Sequence, residues 1–231
     1  MTSRPCPSPA MPVQPRRRWL RSAMPLLLTL GGFMLLGGLC AWRLFQLGLG
    51  WTTLPCVLAV ALYVGWLAWE SRVSVAEVGR QGIDHDRGTM ELAALAKIAL
   101  LLAALLPQSQ VIPALAVPAL VLMGAGIGLR MAAIRRLGAG YSHRIRVPSG
   151  PLEMRGPYAW LRHPAYLGTL MAHAGVAGVF FNLWSLAALV LLWAPAVWLR
   201  TVVEDRCLKR ALPEYAAYAQ RVRHALLPGL Y

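Results

Sequence analysis

The sequence predicts an all-α, polytopic transmembrane helical bundle of about six spans, with an irregular interfacial loop and a C-terminal amphipathic helix. Composition is the first reason. Of 231 residues, 58% are hydrophobic and 14% are charged, and the mean hydropathy is +0.53. These values exclude an ordinary soluble domain, a disordered chain and a collagen-like fibre. Because apolar segments take up most of the chain, no room remains for a separate water-soluble catalytic unit.

Six apolar stretches are the second reason, since each is near the roughly 20 residues that a spanning helix needs. They cover residues 23–42, 51–69, 92–106, 111–129, 164–181 and 183–199, of which the third is short. An even number of spans places both termini on one side of the membrane. We divide the chain into a disordered basic tail at 1–22, N-terminal transmembrane helices at 23–110 and a core at 111–231.

The distribution of charge predicts the orientation. The formal net charge of +14 comes mainly from arginine, because Lys97 and Lys209 are the only lysines. Nearly all basic residues lie in the tail, in the segments 70–91 and 130–163, and in the C-terminal region. The positive-inside rule therefore places both termini in the cytoplasm. Blocks of charge beside apolar stretches also favour the membrane over nucleic acid as the partner.

The segment between Gly138 and Pro164 is irregular and basic. Its prolines and glycines preclude a continuous helix, so it must lie in water, among headgroups or over a cavity between the helices. Pro164 suits the first position of the next helix, which places Arg162 and His163 at a helix N-terminus that favours an anion. The alternative is that these two residues only anchor the helix to headgroups.

Several polar or small residues fall inside apolar stretches. Lys97 is expected to extend toward the cytoplasmic interface rather than join a polar site. Gly124 and Gly128 form a small-xxx-small face, which predicts close helix packing. For His173, a functional role and an interhelical hydrogen bond are equally good accounts.

We expect neither a metal site nor a disulfide framework. Residue types suited to a metal surround His85, but a helix start capped by Thr89 is the better account of this turn. The cysteines are scattered without a CxxC pair or a nearby histidine at ligand spacing. They are Cys6, Cys40, Cys56 and Cys207.

An acidic pair, Glu204 and Asp205, follows the last apolar stretch. The two carboxylates either pair with nearby arginines as a solvated face or hold a cationic or hydroxyl-bearing part of a ligand. After Pro213, Tyr215 and Tyr218 recur at helical spacing, which predicts an amphipathic helix lying over the cavity that the irregular segment borders.

Six short motifs follow one another in the second half of the chain. They are Gly156-Pro157-Tyr158, Arg162-His163-Pro164-Ala165-Tyr166, Glu204-Asp205, Tyr215-Ala216-Ala217-Tyr218, Arg221-Val222 and Leu227-Pro228. Together they resemble the integral-membrane isoprenylcysteine carboxyl methyltransferases and their phospholipid methyltransferase relatives. The resemblance covers roughly residues 124–231. It departs at Asp205, where the family has Glu, and at Leu212-Pro213, which replaces Phe-Gly.

The resemblance implies transfer of a methyl group from S-adenosylmethionine, bound on the cytoplasmic side, to an acceptor that arrives through the bilayer. Arg162 and Arg221 would orient an anionic acceptor, and Glu204 would accept a hydrogen bond from the donor's amine or ribose. The residues implied in binding the donor are Tyr158, His163, Tyr166, Glu204, Asp205 and Tyr218.

The acceptor and two other functions stay open. An isoprenylcysteine-like carboxylate, a thiol and a lipid amine all fit a site reached from the membrane, and an amine would give Glu204 a more direct part because it must lose a proton. The first alternative is a reductase or isomerase of a polyisoprenoid or sterol, which would bind a reduced nicotinamide or a haem through His163 or His173. The second is a non-catalytic lipid-binding membrane protein.

Overall fold

The computed structural model describes residues 53–77, 86, 88–106, 112–147 and 150–226, and scattered helical residues between 27 and 45. The predicted tail at 1–22 lies outside these residues, and so do His85 and Leu227-Pro228. Six helices account for most of the described chain, and no strand occurs in it. They are α1 (Leu54–Glu77), α2 (Thr89–Leu105), α3 (Pro113–Leu137), α4 (Pro164–Val179), α5 (Leu183–Ala211) and α6 (Pro213–Arg221).

Three helices are long and apolar enough to cross a membrane, which indicates an integral membrane protein. They are Leu54–Glu77, Ala114–Gly140 and Leu183–Ala211. With 17 and 16 residues, α2 and α4 are shorter than the roughly 20 residues of a typical span. Six spans therefore remain a prediction. The described residues contain three helices that meet the length and hydropathy of a span.

Proline and glycine mark the helix boundaries around the core. Pro113, Pro164 and Pro213 each occupy the first turn of a helix, where a missing N–H leaves no hydrogen bond unmade. Gly138 ends α3 with a positive φ of 50°, a conformation that side chains with a Cβ rarely adopt. The chain between α3 and α4 is irregular apart from 3-10 turns at Gly138–Gly140 and Gly156–Ala159.

Helices α3 and α4 make the most extensive helix contact, and glycine permits it. A Cβ added at Gly168 would lie 2.6 Å from the carbonyl oxygen of Gly126, and one at Gly126 would lie 2.5 Å from the backbone nitrogen of Ala172. The prediction that Gly124 and Gly128 form the packing face is wrong for the described helices, because a Cβ at either would meet no atom of the described residues within 4 Å. Gly126 lies on a different face, and that face meets α4.

The start of the irregular segment packs onto the end of α1. The Glu77 carboxylate accepts hydrogen bonds from the Ser142 hydroxyl and from the His143 backbone N–H, the latter at 3.0 and 3.1 Å. The His143 Nε2 atom lies 3.1 Å from the Ser74 hydroxyl, and Ile145 is buried. These contacts fix the segment over the helix ends rather than leaving it in water.

Replacing Gly168 with alanine should destabilise the protein because the new Cβ would overlap backbone atoms of α3. We expect a cost of about 1–3 kcal/mol, the range of overpacked cores. The thermal unfolding midpoint in detergent measures it. Gly124→Ala and Gly128→Ala are matched controls in open space and should leave the midpoint unchanged. Equal midpoints for all three variants would contradict this packing face.

The stability of the protein should fall in mild acid because of His143. Burial lowers the pKa of His143, and the carboxylates of Glu70 and Glu77 offset only part of that effect. The unfolded chain then binds the proton more readily, so stability decreases as pH falls below about 6.5, the ordinary histidine pKa. We expect the thermal unfolding midpoint of His143→Gln to depend less on pH than that of the wild type between pH 7 and about pH 5. His224→Gln, at an exposed histidine, should keep the wild-type dependence.

Candidate active site

A cavity of about 480 Å³ lies between the helices, and all six helices and the irregular segment contribute to its wall. This volume falls in the range of roughly 300–1,000 Å³ typical of small-molecule sites. Its charged wall is mainly basic, with seven basic and three acidic side chains. These are Lys97, Arg130, Arg136, Arg144, Arg146, Arg162 and Arg200, against Glu70, Glu153 and Glu204.

Arg162, predicted to orient an acceptor, is bound on several sides by the protein itself. Its Nε donates to Asp205 Oδ1 at 2.8 Å, and Nη2 lies 3.3 Å from Oδ2. Its Nη1 donates to the carbonyl oxygens of Val222 and Arg223 at 2.8 and 2.7 Å. The residue borders the cavity but is only 6% exposed. The guanidinium therefore holds the chain after α6 against α5.

The adjacent acids of α5 point to different surroundings. Asp205 is fully buried, accepts a hydrogen bond from the Tyr215 hydroxyl at 2.9 Å, and lies 2.7 Å from the Lys209 ammonium. It is absent from the cavity wall, whereas Glu204 lines the cavity and its side chain is 26% exposed. Asp205 thus organises the surrounding residues, and Glu204 is the acid available to a ligand.

Two more predicted residues, Tyr166 and His163, lie beside Glu204. The Tyr166 hydroxyl donates to Glu204 Oε2 at 2.5 Å, and His163 Nδ1 lies 3.7 Å from Oε1. The His163 and Tyr166 rings stack with centroids 5.8 Å apart. Tyr218 also borders the cavity, and its hydroxyl donates to the carbonyl oxygen of Tyr158 at 2.6 Å.

The tyrosines outside the spans are kept in their neutral, hydrogen-bond-donating form. Burial raises the pKa of Tyr218 to about 12. Burial also raises the pKa of Tyr158, and burial with the Asp205 carboxylate raises that of Tyr215. At neutral pH their hydroxyls therefore contribute dipoles rather than charge to this end of the cavity.

Arg221 is not brought to the cavity. It is exposed at the end of α6, where its Nη2 lies 3.3 Å from the sulfur of Met154. The motif's two arginines are therefore separated in this structure: Arg162 borders the cavity and Arg221 lies on the surface.

His173 makes an interhelical hydrogen bond, which is one of the two explanations that the sequence offered for it. Its Nε2 lies 2.9 Å from the Tyr63 hydroxyl of α1, and its Nδ1 lies 2.8 Å from the carbonyl oxygen of Thr169. Because a carbonyl only accepts, Nδ1 carries the proton and Nε2 accepts from Tyr63. His173 also borders the cavity, so the two accounts are compatible.

A buried charge network in the cavity wall was missed by the sequence reasoning. Arg130 of α3 forms an ion pair with Glu70 of α1, lies 3.1 Å from the Tyr141 hydroxyl, and donates to the carbonyl oxygen of Ala165 at 3.2 Å. Lys97 also lines the cavity, although it was expected to extend toward the interface. The sequence feature that could have indicated this network is the presence of ionisable residues in or beside apolar stretches.

The turn before α2 is held by α5. Asp86 accepts from the Thr89 hydroxyl at 2.5 Å and from Arg200 Nη1 at 2.6 Å. Gly88, with a φ of 82°, precedes the helix, so Thr89 is its first residue rather than its cap. Arg200 also donates to the carbonyl oxygen of His143, and it thereby joins α5, the irregular segment and this turn.

Comparisons with known proteins identify the segment that carries most of these residues. Residues 118–210 match the isoprenylcysteine carboxyl methyltransferase (ICMT) family. The cobalt-zinc-cadmium resistance protein CzcN of Cupriavidus metallidurans (strain CH34) is 42% identical over 73 residues, which is 30% of this chain and 32% of that protein. The chain thus aligns with about a third of this curated relative's length.

The matched segment contains α4, most of α3 and nearly all of α5. It includes the Arg162 and Glu204 motifs and ends before α6. The resemblance to the isoprenylcysteine carboxyl methyltransferase family is therefore confirmed over residues 118–210.

Proposed function

We propose that this protein is an S-adenosylmethionine-dependent methyltransferase that acts on a membrane-accessible acceptor, with its active site and both termini on the cytoplasmic side. The family suggests a membrane methyltransferase. The observation that carries the proposal is a single cavity that contains the family's motif residues at one end and aromatic side chains from apolar helices at the other. A polar donor and an apolar acceptor can then meet inside one cavity.

The residues at the motif end fit the donor's chemistry. When bound, S-adenosylmethionine supplies an electrophilic methyl group on a positively charged sulfur. Glu204 is placed to accept hydrogen bonds from the amine or ribose hydroxyls, and Tyr158 and Tyr166 offer ring surfaces for the base. The basic wall favours the donor carboxylate electrostatically. We assign the donor contacts to Tyr158, His163, Tyr166, Glu204 and Tyr218, and we assign Asp205 a positioning role behind them.

The protein's main contribution to rate is orientation in a site that excludes water. Fixing a nucleophile and a methyl carbon in line can lower the barrier by about 7–11 kcal/mol at best. An acceptor carboxylate or thiolate needs no strong base, whereas an amine must lose a proton. Glu204, with Tyr166 donating to one of its oxygens, is the carboxylate in position to take that proton.

The relative's name concerns metal resistance, and the methyl-transfer chemistry proposed for this chain is based on the family match instead. Among the described residues, no group of three His, Cys, Asp or Glu side chains is arranged to hold a metal ion. The two nitrogens of His173 are already engaged by Tyr63 and Thr169. These contacts of the described residues do not favour a reductase over a methyltransferase. Binding of reduced nicotinamide or of S-adenosylmethionine distinguishes the two functions.

The purified protein in detergent should bind S-adenosylmethionine and S-adenosylhomocysteine in calorimetric titrations. Glu204→Gln should weaken binding by roughly tenfold, because it removes a charged hydrogen-bond acceptor. Glu214→Gln is the matched control, since Glu214 is an exposed glutamate of α6 that does not border the cavity. Binding of reduced nicotinamide without either adenosyl compound would overturn the proposal in favour of a reductase.

Arg162→Ala should destabilise the fold as well as the site, because it leaves Asp205 buried without its main partner. We expect a loss of about 3–5 kcal/mol, typical of a broken buried ion pair. The thermal midpoint in detergent measures the loss. Arg221→Ala, at an exposed arginine, should keep the wild-type midpoint. Wild-type stability for Arg162→Ala would show that the guanidinium is free to act on an acceptor instead.

A further inference from the structure

A cluster of aromatic rings and a lysine forms one part of the cavity wall, which we call the tryptophan–lysine pocket. It includes Tyr63 and Trp66 from α1, Lys97 from α2, His173 from α4 and Trp193 from α5. The His173 ring contacts all three aromatic neighbours, with centroid distances of 5.6, 5.6 and 4.6 Å to Tyr63, Trp66 and Trp193. His173 lies seven residues beyond Tyr166 on α4, which corresponds to about 10 Å along the helix.

Two buried hydrogen-bond donors in this pocket have no partner. The indole N–H groups of Trp66 and Trp193 make no hydrogen bond within the described part of the chain, although the side chains are only 4% and 5% exposed. A buried indole N–H ordinarily finds an acceptor, because leaving it unpaired costs stability. Two such groups in one cavity wall point to an acceptor that comes from a ligand.

The charged groups of the pocket favour an anion. Lys97 forms no ion pair or hydrogen bond with another described residue, yet its ammonium is close enough to act electrostatically on His173. The Glu70 carboxylate also acts electrostatically on Lys97, but Glu70 is itself paired with Arg130. His173 is already hydrogen-bonded through both nitrogens. The pocket therefore offers two N–H donors and one cation to an incoming group.

The helix that carries Trp193 is irregular at this point. Residues Leu189–Trp193 form a π-helical segment within α5. Such segments are rare and often occur at functional sites, since the extra residue rotates the following side chains by roughly 100° relative to a regular helix. The segment ends at Trp193 and so sets the direction of this indole, which borders the cavity. This backbone feature is independent of the unpaired donors.

We propose that the tryptophan–lysine pocket binds an anionic oxygen-bearing group of the methyl acceptor, whose apolar body packs against Tyr63, Trp66 and Trp193. The assignment to the methyl acceptor rests on the proposed function. Donors and a positive charge stabilise the anion and so weaken it as a nucleophile. The group held here is therefore a binding group, distinct from the atom that receives the methyl. The acceptor is an apolar organic acid with a second, nucleophilic group.

Nuclear magnetic resonance of the indole N–H groups tests the pocket directly. The full-length protein, labelled with ¹⁵N-tryptophan in detergent, is titrated with 4-tert-butylbenzoate and, separately, with 4-tert-butylbenzyl alcohol. We expect two of the nine indole signals to move to higher proton frequency with the acid and not with the alcohol. Unmoved indole signals, or the same shifts with both compounds, would overturn the proposal. This titration requires no variant.

Variants then assign the indole signals to individual tryptophans and test the contribution of the Lys97 charge. Trp66→Phe and Trp193→Phe should each remove one of the moving signals and weaken binding of the acid by roughly tenfold, and Lys97→Met should weaken it at least as much. Trp184→Phe is the matched control, because Trp184 is 70% exposed on the same helix as Trp193 and should remove an unmoved signal. Moving signals that persist in both pocket variants would contradict the assignment.

S-adenosylhomocysteine binding, measured on the same samples, separates this inference from the proposed function. If S-adenosylhomocysteine binds but the acid shifts no indole signal, the proposed acid binding in the tryptophan–lysine pocket is wrong and the proposed methyltransferase function is unaffected. Indole shifts without S-adenosylhomocysteine binding overturn the assignment to a methyl acceptor, because the pocket then binds organic acids in a protein with no methyl donor. Both responses together support the inference as stated.

Discussion

The buried carboxylate of Asp205 is the interaction on which the candidate site depends. A fully buried charge is tolerated only when partners surround it, and Asp205 has Arg162, Tyr215 and Lys209. These partners come from the segment before α4, from α6 and from the next turn of α5. A single charge thus brings together parts of the chain that are far apart in sequence, and the cavity wall at this end follows from it.

The same helix gives the neighbouring acid an opposite environment. Successive residues on a helix are rotated by roughly 100°, so one of an adjacent pair can be buried while the other faces a cavity. Glu204 therefore stays accessible because Asp205 is fixed. Along the cavity the wall changes from tyrosine hydroxyls and Glu204 to the aromatic rings around His173. The proposed function would use this difference, with the methyl donor beside Glu204 and the acceptor beside His173.

Hydropathy and proline positions predicted most of the helices, including the start of α4 at Pro164. They could not predict which face of α3 meets α4, because a partner's shape decides that, and Gly126 rather than Gly124 or Gly128 makes the contact. The motif residues Glu204 and Tyr166 lie beside one cavity, and their part in binding a donor stays a prediction. The pairing of Glu70 with Arg130 joins residues 60 positions apart, and local sequence carries no such information.

The backbone contacts of Arg162 and His163 also affect the order in which the site is built. Their N–H groups donate to the carbonyl oxygens of His224 and Ala225 at 3.0 and 2.9 Å, so the residues after α6 hold Arg162 and His163, which line the cavity. The ribosome makes this stretch after all six helices from α1 to α6. These contacts can therefore form only after the rest of the described helices have been made. A chain interrupted before α6 would lack them, and it would also lack the part of the cavity wall that Tyr215 and Tyr218 supply.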